Sequence, residues 1–192
     1  MKKLENYLKK NPKTHLIFDL DETIIKLVLP WDEWFVDVLG KIRQTYRDFP
    51  ETEYVRIHNG LVEHYGEEGL ALIRELNERF ENEKLFRIER NEELIDFIKN
   101  NPNYTYYLWT SNSGKTAKRF LEELGLDQIF KKVVTRSDST FIKPHTQGFD
   151  LLKDSKTSIS DYLFVGDSSR DKEAAKALEM DFFLIDYFHG TF

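Results

Sequence analysis

In the second half of the chain, short apolar runs alternate with longer stretches that have helical spacing. Four runs rich in branched and aromatic residues have the length and composition of buried strands: 104–109, 133–134, 162–165 and 182–185. Apolar residues at helical spacing predict helices ahead of the first run and between the runs, near 94–98, 114–124, 149–152 and 171–178. This alternation predicts a parallel sheet covered by helices on both faces, with right-handed crossovers.

The first strand of the same sheet is predicted at the apolar run from His15 to Leu20. A short helix is expected before it and ends at Asn11, because Pro12 disfavours helix at the residue that precedes it. The stretch from Lys26 to about Phe86 has helical spacing and contains no convincing strand.

This stretch is predicted to hold two helices. The first has apolar residues every three or four positions after Pro30, namely Trp31, Trp34, Phe35, Val38, Leu39 and Ile42. The second has an apolar face formed by Leu70, Ile73, Leu76 and Phe80. A loop that includes Tyr54 is expected between them. The domain organisation is therefore an α/β core formed by residues 1–25 and 87–192, interrupted by a helical insertion at residues 26–86.

The composition excludes several classes of protein. The chain has 192 residues and a net charge of -6, which argues against nucleic acid or an anionic membrane as its main partner. It contains no cysteine, so disulfides, thiol catalysis and thiolate metal sites are excluded. The N-terminal stretch is too polar for a signal peptide, and no apolar run is long enough to cross a bilayer. We therefore expect a cytoplasmic protein.

Polar residues that can carry chemistry follow four of the predicted strands. They are Asp19, Asp21 and Thr23 after the first strand, then Thr110 to Gly114, Lys143, and Gly166 to Asp171 after later ones. Because the carboxyl ends of parallel strands meet at one edge, where open α/β sheets bind ligands, we expect these segments to form one site. Two carboxylates at the end of a buried strand are costly to place together, and a reaction site explains the cost.

These side chains suit a bound phosphate together with a divalent cation. A phosphomonoester carries about two negative charges near neutral pH, and four carboxylates would repel it. Lys143 and Arg170 do not outnumber those carboxylates. A hard cation such as Mg2+, which binds carboxylate, phosphate and water oxygens, would reverse the local sign of the charge.

The four segments resemble the signature motifs of the haloacid dehalogenase-like (HAD) hydrolases. Those motifs are DxDxT, a Ser or Thr after a hydrophobic strand, a Lys, and GDxxxD. They are matched in order by Asp19, Asp21 and Thr23, by Ser111, by Lys143 in a Lys-Pro context, and by Gly166, Asp167 and Asp171. The resemblance implies a Rossmann-like, three-layer α/β core with a parallel sheet and a small α-helical cap, which would be the insertion.

The resemblance also implies a Mg2+-dependent phosphatase that works through an aspartyl-phosphate. Asp19 would be the nucleophile, and Asp21 would protonate the leaving alcohol and then take a proton from water. Asp19, the backbone carbonyl of Asp21 and Asp167 would hold the metal, and Asp171 would be either a further ligand or a residue that supports the ligands.

Other residues of the motifs would bind the phosphate. Ser111 and Lys143 would contact the equatorial phosphoryl oxygens, where charge must be stabilised during transfer. Thr23, Thr110 and Asn112 would be secondary polar contributors to substrate binding.

A helical insertion directly after the first motif is similar to the cap of this family, which covers the active site. A cap excludes water and bulky substrates, so the expected partner is a small phosphorylated metabolite. Arg56 and His58 are candidates for substrate binding, because they lie in the predicted loop where a cap would meet the core. Trp31 and Trp34 have helical spacing, which favours their interpretation as core residues of the cap over a stacking platform for a base.

Two alternative functions remain open at this point. A phosphomutase of the same superfamily would need a base in the cap, for which His58 or His64 is available. A non-catalytic binding protein of the same fold is a second alternative, although the intact set of acids argues against it. A dehalogenase is disfavoured, because a halide leaving group has no use for the second acid, Asp21. The oligomeric state and the role of the aromatic tail, residues 186–192, are not predicted.

Overall fold

A computed structural model describes residues 1–188, so the last four residues of the aromatic tail lie outside the described part. The strands are β1 (His15–Phe18), β2 (Ile25–Val28), β3 (Arg87–Arg90), β4 (Thr105–Trp109), β5 (Phe130–Val134), β6 (Tyr162–Gly166) and β7 (Asp181–Leu184). The helices are α1 (Lys2–Lys10), α2 (Trp31–Thr45), α3 (Tyr54–Lys84), α4 (Glu92–Asn100), α5 (Gly114–Leu124), α6 (Gln147–Leu152) and α7 (Ser169–Ala177). No helix within residues 1–188 has the length and apolar character of a membrane span.

Five of the strands form a parallel sheet in the order β5-β4-β1-β6-β7. β1 lies at the centre, where His15 is opposite both Thr105 of β4 and Tyr162 of β6. The strand order reverses at β1, since later strands add on both of its sides. Ligands bind at such a reversal, beyond the carboxyl ends of the strands. The predicted parallel sheet is confirmed.

Helices cover both faces of this sheet. Because successive side chains of a strand point to opposite faces, Leu16 and Phe18 of β1 enter one apolar cluster and Ile17 enters the other. The first cluster includes residues of α1, α4 and α5, and the second includes residues of α6 and α7. A central strand buried on both faces must be apolar throughout, and this explains the uninterrupted run in the sequence. The fold is a Rossmann-like α/β sandwich of three layers.

A second, two-stranded sheet was not predicted. β2 pairs with β3 in antiparallel register, with Ile25 opposite Arg90 and Val28 opposite Arg87. Residues Lys26 to Val28 belong to β2, so the prediction that the stretch from Lys26 to Phe86 contains no strand is wrong. β3 is largely exposed and carries charged residues, so its sequence lacks the apolar pattern of a strand. The ribbon joins the sheet to the segment between its strands, which holds α2 and α3 and is called the helical insert (residues 31–84).

Helix α3 begins earlier than predicted. Its first turns contain Tyr54, Arg56 and His58, so the prediction of a loop at these positions is wrong. The helix is interrupted at Gly66, whose φ of 58° lies in the left-handed region that glycine tolerates best. The interruption changes the helix direction, so apolar residues before and after it do not share one periodic stripe. The regular spacing of apolar residues in the sequence therefore predicted only the second half of α3.

Candidate active site

The loops that follow β1, β4, β5 and β6 meet at the carboxyl edge of the sheet and line a pocket of about 250 Å³. It is lined by predicted site residues from all four motifs: Asp19, Asp21, Ser111, Asn112, Lys143, Asp167 and Asp171. Other lining residues had no assigned role: Ser168 and Arg170 from the loop after β6, and Phe35 and Tyr54 from the helical insert. Trp31 also lines the pocket and is partly exposed, so its interpretation as a core residue of the cap is wrong. The convergence expected from a parallel sheet is thus present, with an additional wall supplied by the insert.

Three carboxylates cluster on one side of the pocket. Asp19, Asp167 and Asp171 each offer an oxygen atom within 4.8 Å of the others. Asp19 extends the pairing of β1 with β6, because its amide donates to the carbonyl of Val165 at 3.1 Å. This pairing fixes the end of β1 beside the loop that carries the other two acids. A set of hard oxygen donors at this spacing suits Mg2+.

Lys143 is the buried counterion of this cluster. Its Nζ lies 2.8 Å from Asp19 Oδ1 and 2.6 Å from Asp171 Oδ1, and it donates to the Trp109 carbonyl at 3.0 Å. Burial opposes the ammonium charge, but Asp171 and Asp19 outweigh it and raise the pKa of Lys143. The side chain is therefore a fixed positive charge beside the pocket.

Asp171 is fully buried and forms the capping box of α7 together with the N-cap residue Ser168. Its Oδ2 accepts hydrogen bonds from the Ser168 amide at 3.1 Å and hydroxyl at 2.6 Å, and the Ser168 hydroxyl accepts one from the Asp171 amide. A Cβ atom on Gly166 would lie 2.6 Å from Asp171 Oδ2, which explains why glycine stands there. Helix capping and the contact with Lys143 together hold this carboxylate in place.

Without further positive charge, the ionised forms of these acids are disfavoured. Burial raises the pKa of Asp19 to about 7; Lys143 opposes the shift, and Asp171 and Asp167 add to it. Burial and the charge of Asp171 also raise the pKa of Asp167. The single buried lysine does not compensate for the three carboxylates. A divalent cation among their oxygens would, so the donor set fits such an ion.

Asp21 has a different environment from Asp19. Its Oδ1 accepts hydrogen bonds from the amides of Leu27 at 2.7 Å and Glu22 at 3.1 Å. Burial nevertheless raises the pKa of Asp21 to about 8, with a contribution from Asp19. A carboxyl group with this pKa carries a proton near neutral pH, as a general acid must.

Two of the predicted substrate-binding residues contact protein groups instead of lining the pocket. Thr23 is buried, and its hydroxyl donates to Asp167 Oδ1 at 2.9 Å. Thr110 is also buried; its hydroxyl donates to Asn112 Oδ1 at 2.6 Å and accepts from the Asn112 amide at 3.1 Å. Both threonines orient residues that line the pocket.

The two candidates from the insert lie elsewhere. His58 is fully buried in α3, where its ring Nε2 lies 3.3 Å from the Thr140 carbonyl. Burial, reinforced by the charge of Arg136, lowers the pKa of His58 to about 4. Arg56 is exposed, pairs with Glu53 at 3.4 Å, and lines a neighbouring cavity. Neither side chain lines the pocket that holds the acids, because α3 replaces the expected loop.

Arg136 connects the insert to the loop after β4, and its sequence context gave no indication of this role. Its Nη2 donates to Glu81 Oε1 at 2.6 Å, and its Nη1 donates to the Tyr54 hydroxyl at 2.9 Å and the Ser111 carbonyl at 3.0 Å. Its amide donates to the Asn112 carbonyl at 3.0 Å. Both charged side chains are buried, so this ion pair is shielded from solvent.

Helix α3 also binds the segment that carries Lys143. The Asn59 side chain accepts from the Ile142 amide and donates to the Ile142 carbonyl, both at 3.0 Å. Arg74 Nη2 donates to three carbonyls of the same segment, those of Arg136, Ser137 and Ser139, at 3.2, 3.3 and 2.9 Å. Side chains of the insert thus bind backbone groups at several positions within residues 136–142.

The fold and the site together define an α/β protein of the hydrolase class, in which a cluster of carboxylates lies at the carboxyl edge of a parallel sheet. Residues 16–185 match the model of a family described as haloacid dehalogenase-like hydrolases. The chain belongs to this family, and the resemblance seen in its motifs is confirmed.

Solved structures of the same superfamily have the same fold. The chain is similar to the candidate HAD hydrolase YfnB from Bacillus subtilis, described as bound to magnesium, with 21% identity, 94% and 90% of the two chains covered, and a TM-score of 0.57. It is also similar to a candidate phosphoglycolate phosphatase from Lactobacillus plantarum, with 16% identity, 91% and 86% coverage, and a TM-score of 0.63. A HAD phosphatase from Thermococcus onnurineus has 19% identity, 93% and 89% coverage, and a TM-score of 0.54. No functionally curated protein matches the chain.

Proposed function

We propose that this protein is a Mg2+-dependent phosphatase that hydrolyses a small phosphomonoester through a phosphoryl group held covalently on Asp19. The observation that carries the proposal is the cluster of Asp19, Asp167 and Asp171, of which the first and last contact Lys143, with a second, protonatable acid, Asp21, lining the same pocket. The magnesium-bound structure of YfnB and the phosphatases among the structural neighbours support it.

The metal would be held by the carboxylates of Asp19, Asp167 and Asp171 and by the backbone carbonyl of Asp21. When bound, Mg2+ would supply the positive charge that lets a phosphate dianion approach these acids. Thr23 would keep Asp167 in orientation through its hydrogen bond of 2.9 Å.

In the first step, an Asp19 carboxylate oxygen attacks phosphorus, and the bond between phosphorus and the leaving oxygen breaks. Ser111 and Lys143 bind the phosphoryl oxygens, whose charge the fixed ammonium stabilises. Asp21 gives its proton to the departing alkoxide, which leaves as the alcohol. Its pKa of about 8 means that this carboxyl is protonated when the reaction begins near neutral pH.

In the second step, water attacks phosphorus, and the bond to Asp19 breaks. Asp21, now a carboxylate, removes a proton from that water and returns to its starting state. The backbone amides of Leu27 and Glu22 hold its Oδ1 in one orientation during both transfers. Phosphate is released and Asp19 is regenerated.

The helical insert would act as the cap, with the ribbon of β2 and β3 as its stem. Trp31, Phe35 and Tyr54 line the pocket together with the acids, which is the position required of a cap that limits water and substrate size. We accordingly assign residues 1–25 and 87–192 to the core and residues 26–86 to the cap.

The phosphomutase alternative finds no support in the insert. A mutase requires a base beside the pocket, yet His58 is buried and His64 contacts Phe49 and Tyr65. Neither histidine lines the pocket.

The test measures phosphate release from p-nitrophenyl phosphate with Mg2+ and with EDTA. We expect activity in Mg2+ that chelation suppresses and that Asp19→Asn abolishes. Asp96→Asn is the matched control, because Asp96 is an exposed aspartate of α4. Equal rates for Asp19→Asn and the parent would refute the assignment of the nucleophile, and no release from any of a panel of phosphomonoesters would refute the function.

A further inference from the structure

Three aromatic side chains of the insert face the pocket and form what we call the aromatic wall: Trp31, Phe35 and Tyr54. Trp31 and Phe35 are four residues apart in α2 and therefore lie on one face of the helix. Trp31 is 39% exposed and Phe35 is 37% exposed, although both rings are large and apolar. The two rings thus leave apolar surface uncovered inside a pocket whose other side is charged.

The wall is held in position by the protein. Tyr54 packs edge-on against Trp31 with ring centres 5.5 Å apart, and its hydroxyl accepts a hydrogen bond from Arg136. Behind it, the buried ring of Trp34 lies 4.8 Å from Tyr54 and donates through Nε1 to Asn77 at 2.7 Å. The surface is therefore ordered before any ligand arrives, which reduces the entropy lost on binding.

A larger cavity of about 550 Å³ adjoins the wall and shares Tyr54, Ser168 and Arg170 with the pocket. Among residues 1–188, its lining includes four glutamates and two arginines: Glu51, Glu53, Glu63 and Glu173 against Arg56 and Arg170. Arg56 is already paired with Glu53. A leaving group with its own carboxylate would meet net negative charge there, so a neutral or cationic group is favoured.

We infer that the leaving group of the substrate carries a flat aromatic or heteroaromatic ring, without negative charge, that packs on Trp31 and Phe35. This inference rests on the proposed phosphatase function, because it takes the phosphate to be bound at Asp19. Flat rings gain from offset or edge-on contact with other rings beyond the gain from burial alone, whereas a saturated ring of similar size gains only from burial.

The experiment compares benzyl phosphate with cyclohexylmethyl phosphate, two esters of primary alcohols that differ in the flatness of the ring. For the parent protein we expect kcat/KM to favour benzyl phosphate by about fivefold. Trp31→Ala should bring this ratio close to one, and Trp31→Phe should retain it. Val36→Ala is the control, because Val36 lies in the same helix and is 74% exposed, outside the pocket.

Equal kcat/KM for the two esters in the parent, or an unchanged ratio in Trp31→Ala, would overturn the inference while leaving the phosphatase function intact. If neither ester is hydrolysed, calorimetry with benzylphosphonate and cyclohexylmethylphosphonate measures the same preference without turnover. If benzylphosphonate binds more tightly and Trp31→Ala removes this preference, the binding of a flat ring on the aromatic wall is supported, although the proposed phosphatase function is not. Equal binding of the two phosphonates would overturn the inference as well.

Discussion

The buried ion pair between Arg136 and Glu81 gives the strongest prediction for stability. In Arg136→Met, the Glu81 carboxylate would remain at a site where its side chain is 9% exposed, without its partner at 2.6 Å. Breaking a buried pair by removing one partner costs about 3–5 kcal/mol. The Tyr54 hydroxyl and the Ser111 carbonyl would also lose a donor. We expect the free energy of unfolding to fall by about 4 kcal/mol, a large part of the roughly 5–15 kcal/mol typical of a domain.

Urea unfolding of four proteins would measure this cost as a double-mutant cycle. The proteins are the parent, Arg136→Met, Glu81→Leu, and the double variant. The double variant should recover much of the loss, because it leaves no buried charge without a partner. Arg87→Met is the control, since the Arg87 side chain is 70% exposed and pairs with Glu89 at 3.4 Å; it should change stability by less than about 1 kcal/mol. A loss below about 1 kcal/mol in Arg136→Met, or a double variant no more stable than either single one, would refute the reasoning.

Three further predictions concern the acids. Gly166→Ala would place a Cβ atom 2.6 Å from a carboxylate oxygen of the cluster, so Mg2+ affinity measured by calorimetry should fall at least about tenfold; unchanged affinity would show that the carboxylate can move. Thr23→Val removes the hydroxyl that donates to Asp167 and should weaken Mg2+ binding about tenfold, whereas Thr45→Val, at an exposed helix end, should not. In EDTA the melting temperature should fall as pH rises from about 4 to 7, because the raised folded-state pKa of Asp19, about 7, makes its ionisation favour the unfolded chain. Asp21 and Asp167 also have raised pKa values and contribute a slope of the same sign, so Asp19→Asn or saturating Mg2+ should reduce the slope; a slope identical in all three samples would contradict the prediction.

Much of the core was predictable because a strand that is buried on both faces of the sheet needs an uninterrupted apolar run in the sequence. The apolar run from Leu16 to Phe18 is fully buried, and only a central strand of a covered sheet needs such a run. The acids followed from the same reasoning, since parallel strands bring their carboxyl ends to one edge. Asp19 and Lys143 are far apart in the chain, yet the order of the motifs predicted that they would meet.

The remaining features depend on contacts that have no local pattern. The charged, exposed strand β3 is a strand because it pairs with β2, and nothing in its own residues requires this. Helical spacing shows that Trp31 and Trp34 face inward, but it does not distinguish a packed core from the inside of a pocket. Trp34 is core and Trp31 lines the pocket. The partner of Arg136 is 55 residues away, a distance at which sequence spacing is uninformative.

The side chain of Asn59 has a consequence for any attempt to change the specificity of this protein by exchanging its insert. It binds both backbone groups of Ile142, the residue directly before the lysine of the third motif. A transplanted insert that lacks this amide would alter the support of Lys143 as well as the substrate pocket. Helix α3 is therefore part of the support of Lys143, whereas in the first turns of α2 the partly exposed rings of Trp31 and Phe35 can be exchanged without changing that support.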